Sequence, residues 1–383
     1  MGAPRISFEP ETFAELEGWA GDDHAAAFVA FCKSAPRVIE RATATSTNSR
    51  PQPSEALLKA CRRACELSRV NQGSVSGDVA RQFFEENFTP YRLSYEGAPG
   101  ILTGYYEPEL SGARRRSDKF FVPVYARPDD LVNLIDEAER GARAGERTHA
   151  RRTAEGLKPY FTRAEIDQGA LEAQGLELLY VEDPIDLFFM QVQGSGLIRF
   201  EDGSTVRLTY AGKNGFDYTS IGRFLIDNGL FPSEDMTLQA LIDWLKADRI
   251  RARDVMWKNE SYVFFKELGP VSESAALGVD DIALSPGRSI AVDTAFHEIG
   301  TPIFVRAPRL THADDSSTGF SRLMIAQDVG SAIKGPERGD LFFGTGLQAG
   351  QRAGQTKHEG RFIVLLPNGP RAARSTSETN ATP

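Results

Sequence analysis

Two aspartates occupy positions where a carboxyl could do acid chemistry. Asp328 closes the apolar run RLMIAQD and precedes the small-residue loop VGSAIKG, and Asp340 opens the apolar run DLFFGTG after the turn GPERG. A carboxyl at a strand end, beside apolar neighbours, is partly stripped of water. That raises its pKa and keeps it protonated closer to neutrality, as a general acid requires. The same positions also suit turn and cap aspartates that hydrogen-bond their own backbone. With 53 Asp and Glu in 383 residues, composition selects none of them, so both readings stand at this point.

Two further segments concentrate groups that suit sugars. GYYEP (104–108) and YAGKNGFDY (210–218) carry Tyr, Asn, Lys and Gly on expected loops. Aromatic faces stack on the CH faces of a sugar ring while amides and hydroxyls bond its hydroxyls. Ordinary core and turn tyrosines would look the same in sequence.

Other chemistries lack their residues. The five His form no HExxH or other metal pattern, and there is no GxSxG elbow or Walker A sequence. QGSG (193–196) is glycine-rich but has no phosphate-binding Lys. The three cysteines are Cys32, Cys61 and Cys65. Cys61 and Cys65 lie four apart in the helical pattern LLKACRRACELS, so they share a face as small buried hydrophobes, and a disulfide within a regular helix is geometrically unfavourable. No metal and no cofactor is expected.

The elements around these residues change character along the chain. EALLKACRRACELSRV and SGDVARQFFEENF carry apolar residues at helical spacing, with Ser76 as a cap for the second. YRLSYEG, GILTGYYEPEL and KFFVPVYAR read as strands. PDDLVNLIDEAERGARAG (128–145) reads as a helix, followed by a charged surface loop to about Arg152. LELLYV and the whole run DLFFMQVQGSGLIRF (186–200) read as strands, and RFEDGSTVRLTY as a hairpin turning at Asp-Gly. SIGRFLIDNG and MTLQALIDWLKAD are amphipathic helices, ended by Asn228-Gly229 and begun by Thr237 respectively. In the last third SYVFFKEL, RSIAVD, TPIFVRA, RLMIAQD, DLFFGTG and RFIVLLP alternate with turns, which predicts a small closed barrel. The tail after Pro367 has no hydrophobic period and reads as disordered.

The chain's length implies two domains. Its net charge of −9 argues against a nucleic-acid partner, which would call for a basic face. No stretch approaches the ~20 apolar residues that span a bilayer. The opening MGAPRISFEPETF has no leader pattern, and Ile6 stands where a myristoylation signal wants Ser or Thr. The sequence as given therefore reads as a soluble polypeptide, either cytoplasmic or exported by a signal outside it.

In their order and spacing, LTGYYEPEL, FFMQVQGSGLIRFEDGSTVRLTYAGKNGFDYTSIGRFLIDNG, NESYVFF, RSIAVD and LMIAQDVGSAIKGPERGDLFFGTGLQAGQRAG resemble the membrane-bound lytic murein transglycosylase A family. The resemblance runs from about Leu102 to about Pro367. It implies a mainly β fold with peripheral helices: a double-psi β-barrel domain of residues 1–107 plus 268–367, an inserted β-rich domain of residues 108–267, and a tail from 368 to 383. A groove between the domains would hold a glycan strand. By matching position, Asp340 is the catalytic acid and Asp328 a second acidic residue of the site. Thr103 falls at the groove, and Tyr105, Gln191, Gln193, Ser195, Lys213 and Asn214 become candidate sugar contacts.

The activity so implied is cleavage of the β-1,4 bond between N-acetylmuramic acid and N-acetylglucosamine in peptidoglycan, leaving a 1,6-anhydromuramoyl end. The partners would be peptidoglycan glycan strands and proteins of the cell-wall machinery, in the periplasm or at the outer membrane. Family members carry an N-terminal lipid anchor that this sequence does not supply. Two alternatives remain: a two-carboxylate hydrolase in which Asp328 activates water, and a glycan-binding protein without activity.

Overall fold

The computed structural model describes residues 6–43, 52–95, 100–134, 147–268, 275–313, 319–330 and 332–369. The expected disordered tail lies almost wholly outside these. Strands build two main sheets and helices cover them, so the fold is mainly β.

The larger sheet has nine strands drawn from both ends of the chain. From one edge it runs Ile6–Pro10, Phe88–Tyr95, Arg361–Pro367, Pro302–Ala307 and Phe320–Asp328. It continues through Ser289–Val292, Arg338–Thr345 and Ile101–Glu107 to Lys357–Glu359. Two neighbour pairs are parallel, Ser289–Val292 with Phe320–Asp328 and Arg338–Thr345 with Ile101–Glu107. Each needs a long crossover, and the second crossover contains the whole of the smaller sheet. The expected closed barrel is corrected: among the described residues the pairing leaves two edge strands, Ile6–Pro10 and Lys357–Glu359.

The central strands of this sheet pack against apolar cores on both faces, which explains why they read as nearly continuous apolar runs. In Phe320–Asp328, Leu323 and Ile325 pack with Trp19, Phe28, Phe31 and Phe84 of the N-terminal segment. Met324 and Ala326 pack instead with Leu102, Ile290, Ile303, Leu341 and Phe362. Helices His24–Thr43, Glu55–Val70 and Gly77–Asn87 form the cover on the first face, and the last two start at Ser54 and Ser76 caps. Asp22 pins this cover to the sheet. It accepts two hydrogen bonds from Arg288, at 2.8 and 2.9 Å, and one from the Leu323 N–H at 2.7 Å.

The smaller sheet takes its six strands from residues 109–267: Val263–Glu267, Thr205–Lys213, Ser195–Arg199, Glu109–Ala113, Glu177–Val181 and Val122–Tyr125. The expected hairpin is present, with Ser195–Arg199 antiparallel to Thr205–Lys213. Three expectations here are corrected. Pro184–Gln193 is an α-helix rather than a strand; Asp183 caps it, Pro184 stands in its first turn, and Gly194 ends it at φ +82°. Six of its ten residues are buried, so it lacks the one-sided periodicity that marks a surface helix. Within the expected helix 128–145, residues Leu131–Asn133 form a strand, and 135–146 lie outside the described residues. The expected surface loop ending near Arg152 contains strand His149–Thr153, with His149 and Ala150 buried.

The chain crosses between the sheets at Glu107. Its buried carboxylate accepts from Arg207 of the smaller sheet at 2.7 Å and from the Thr345 hydroxyl of the larger sheet at 2.7 Å. A buried ion pair gains stability only when its oxygens are all partnered, and here both are.

Candidate active site

Sheet register gathers residues from four separate parts of the chain into one row. Thr103 lies opposite Asp340, Asp340 opposite Ala291, and Ala291 opposite Asp328. Directly opposed residues share a face of the sheet. The two aspartates therefore flank the small side chain of Ala291, with Cα atoms two strand spacings apart, roughly 10 Å. A register shift between Ile290 and Ala291 creates this alignment. The residue it leaves over, Gln327, donates to Ala30 O and Ser34 Oγ of the first long helix.

Each aspartate is half-buried and differently supplied with donors. Asp328 accepts from the Tyr105 hydroxyl at Oδ2, 2.9 Å, and from the Val329 N–H at Oδ1, 2.9 Å. The backbone of Val279 adds a third stabilising contact. Burial nevertheless outweighs these donors and pushes its pKa up to about 6, and the nearby charge of Asp340 adds to the rise. Asp340 accepts from the Thr103 hydroxyl at Oδ1, 2.6 Å. Burial raises its pKa also, opposed by that hydrogen bond and by the positive charge of Arg338. Among the described residues, no protein donor reaches its Oδ2. Tyr105 is held in place by the ring of Phe342, with centroids 5.2 Å apart.

The turn that delivers Asp340 is fastened on several sides. The Gly335 N–H donates to Asp293 Oδ2 at 2.9 Å, His297 Nε2 lies 2.6 Å from Pro336 O, and the Phe362 N–H donates to buried Glu337 at 3.2 Å. Gly339 permits the close packing behind the row. A Cβ there would meet Ile290 Cδ1 at 2.6 Å and Phe362 Cζ at 2.7 Å.

Of the residues singled out in the sequence, Asp340, Asp328, Thr103 and Tyr105 come together. Gln193 and Ser195 lie where the Pro184–Gln193 helix gives way to a strand, and Gln193 accepts from the Tyr106 N–H at 3.1 Å, beside the row's own strand. The remaining three lie within the part of the chain that carries the smaller sheet. Gln191 is buried, accepting from Arg163 at 2.6 Å and donating to Val263 O at 3.3 Å. Asn214 is fully buried; its amide donates to Phe161 O and Glu260 O, each at 2.8 Å, and accepts from the Tyr262 N–H at 2.9 Å. Lys213 is buried, with Nζ 3.3 Å from Phe216 O. The structure does not bring these three to the row. A depression lined by Arg114, Phe200 and Glu267 on the smaller domain likewise holds none of the row's residues.

Sequence reasoning missed Arg338. It stands two residues before Asp340 on the same strand, so it shares that face, and alternation alone could have placed it there. No group of three or more His, Cys, Asp or Glu suited to a metal is found among the described residues.

The chain matches two family models, one described as the MltA specific insert domain over residues 101–266 and one as the 3D domain over residues 288–366. A curated relative from Vibrio cholerae, named membrane-bound lytic murein transglycosylase A, is 38% identical over 278 residues, covering 71% of this chain and 67% of the relative. An Escherichia coli protein of the same name is 36% identical over 267 residues, covering 69% and 65%. The chain thus spans about two thirds of the length of these curated relatives. Among solved structures, a membrane-bound lytic murein transglycosylase from Agrobacterium tumefaciens superposes with TM-score 0.80 at 35% identity, covering 94% of this chain and 98% of that one. MltA from Neisseria gonorrhoeae gives TM-score 0.77 at 30% identity, covering 96% and 94%. Escherichia coli MltA with bound chitohexaose gives 0.62 at 30%, covering 88% and 90%.

Proposed function

We propose, because the chain belongs to the membrane-bound lytic murein transglycosylase A family, that it cleaves the glycan strands of peptidoglycan with Asp340 as the acid. The bond broken is the β-1,4 link between N-acetylmuramic acid and N-acetylglucosamine. Asp340 gives the proton on Oδ2 to the departing glycosidic oxygen, and the bond from that oxygen to the muramoyl anomeric carbon breaks. The muramoyl 6-hydroxyl oxygen then bonds to the anomeric carbon, and its proton passes to Asp340 Oδ2. The acid is restored, no water is consumed, and the product ends in a 1,6-anhydro ring. Hydrolytic glycosidases need two carboxyls because water must be activated as well. Here the nucleophile is part of the substrate and already close, so one carboxyl serves both steps.

The observation that carries this assignment is the difference in hydrogen bonding between the two aspartates. Both oxygens of Asp328 accept from the protein, whereas Asp340 keeps Oδ2 for the substrate. Asp328 then holds charge and shape beside the reacting centre. Thr103, Tyr105, Gln193 and Ser195 are the groove residues we retain. Gln191, Lys213 and Asn214 build the wall behind it.

Within this reading the domain division falls at Glu107, where the chain leaves the nine-stranded sheet, and near Glu267, where it leaves the smaller one. That sheet, with its two parallel pairs, takes the role of the family's double-psi barrel. An envelope location follows from the substrate. No helix among the described residues is long and apolar enough to cross a membrane.

A second reading has a specific observation behind it. Two carboxyls separated by one intervening strand leave room for a water between them, as inverting hydrolases require. Mass spectrometry of purified peptidoglycan digested by the protein, beside Asp340→Asn, separates the two. Muropeptides one water lighter than hydrolysis products, absent with the variant, support the transglycosylase. Reducing ends give Asp328 a direct chemical role. Intact binding without products makes the chain a glycan-binding protein.

A further inference from the structure

Arg338 touches the row, yet the proton transfers described above do not use it. Its guanidinium donates to Thr103 Oγ1 at 2.8 Å and to the Gly339 carbonyl at 2.6 Å. Register explains the reach. Arg338 lies opposite Ile101, so Thr103, two residues on, is its diagonal neighbour on the same face.

The direction of the hydrogen bonds is forced. A guanidinium only donates, so Thr103 Oγ1 must accept from Arg338. A hydroxyl has a single hydrogen, and that hydrogen points to Asp340 Oδ1, 2.6 Å away. Oδ1 is thereby fixed as an acceptor, and the acid proton is left to Oδ2. Without Arg338 the threonine hydroxyl could turn round and accept from a proton on Oδ1, placing the acid on the wrong atom.

We propose that Arg338 is a positioning residue that acts through Thr103 to keep the Asp340 proton on Oδ2 and to steady the carboxylate once the proton has left. This rests on the reading of Asp340 as the acid. Arg338 has a second effect through space. Its charge opposes the rise that burial imposes on Asp340, and so sets the pH above which the acid is lost.

The test is a set of variants assayed by anhydro-product release over a range of pH: Arg338→Met, Arg338→Gln, Arg338→Lys, Thr103→Val, and Thr103→Val combined with Arg338→Met. Arg338→Met is expected to lower kcat roughly 10- to 100-fold, the size of effect that follows from misplacing a reacting group. KM should stay within about 2-fold, because substrate contacts are not removed. Its alkaline limb should move to higher pH, since the cation that held the Asp340 pKa down is gone. Arg338→Gln should move the limb equally while retaining more kcat, because its amide can still donate to Thr103. Arg338→Lys should leave the limb in place. The double variant should lose no more kcat than Thr103→Val alone, because both act on one bond.

An unmoved limb in both neutral variants, or losses that multiply in the double variant, would overturn the proposal. A merely structural clasp between the two strands would lower thermal stability and leave the limb where it was. Should the neutral variants fail to fold, Thr103→Val is decisive, and an unchanged kcat there would overturn the proposal, because the hydroxyl that fixes Oδ1 as an acceptor is gone. Activity retained by Asp340→Asn would instead overturn the underlying reading of the acid.

Discussion

The carboxylate row of the larger sheet and the amide cluster beside the smaller sheet are built from polar residues alike, yet they differ in one respect. Around Asn214 and Gln191 the side-chain donors and acceptors are met by the protein: by Phe161, Glu260, Tyr262, Arg163 and Val263. Around Asp340 one carboxylate oxygen is left without a protein donor among the described residues, on a half-buried face. A fully met polar cluster fixes architecture, since a buried group without a partner costs stability. A polar group kept short of one partner, at a face open to solvent, is available for chemistry.

Substitutions should separate the two regions cleanly. Asp340→Asn is expected to have the largest effect, a loss of roughly 10³-fold or more in product release, about 4 kcal/mol of barrier. Its melting temperature should not fall, because shape and the Thr103 contact are kept. Asn214→Ala should do the reverse. Three buried backbone groups lose their partner, which costs roughly 3 kcal/mol of folding stability in a urea titration. Activity per folded molecule in the cold should survive, and a specific loss of glycan affinity there would break the comparison.

Asp328→Asn comes next, with about a 10-fold fall in kcat, the typical size of a supporting electrostatic contact at one remove from the reacting atoms. Its stability should change with pH in a defined direction. Asp328 has a folded pKa of about 6 against an ordinary value of 3.8, so the folded state holds the proton more tightly. Its contribution is most favourable at low pH and is lost as pH rises through about 6. The Asn variant should therefore melt higher than the unaltered protein above that pH, and the gap should close as the pH falls toward 4. A gap that widens in acid would sink this account of Asp328. The smallest effect expected is that of Tyr105→Phe. Loss of one donor should raise the Asp328 pKa further, readable by carboxyl NMR, and lower kcat only about 3-fold.

Much of this arrangement was legible in the sequence, and the exceptions have physical causes. The strand-end placing of Asp328 follows from an apolar run bounded by a turn, whereas Asp340 stands two residues inside its strand, Arg338–Thr345. The helices at Glu55–Val70 and Gly77–Asn87 follow from periodicity, the second also from its Ser76 cap. The helix Pro184–Gln193 was hidden because it is buried on most sides and rich in aromatic residues, although Asp183-Pro184 carried its start signal. The inward direction of Gln191 and Asn214 could not be read. An amide has the same letter whether it faces solvent or a backbone carbonyl, and only the tertiary fold supplies the carbonyl. Arg338 was within reach by alternation. Its bond to Thr103 was not, because that pairing joins strands far apart in the chain.

Thr103 and Asp340 bond to each other across 237 residues of sequence, and the whole smaller domain is threaded between them. Closing so long a loop comes late in folding, since its entropy is lost before any contact repays it. Synthesis runs from the N-terminus, so Thr103 leaves the ribosome long before its partner exists. A half-made chain that stops short of Asp340 consequently lacks the acid we propose. On the proposed role of Asp340, the capacity to cut arrives only once this late segment of the chain has been made, so the order of synthesis itself guards against premature action.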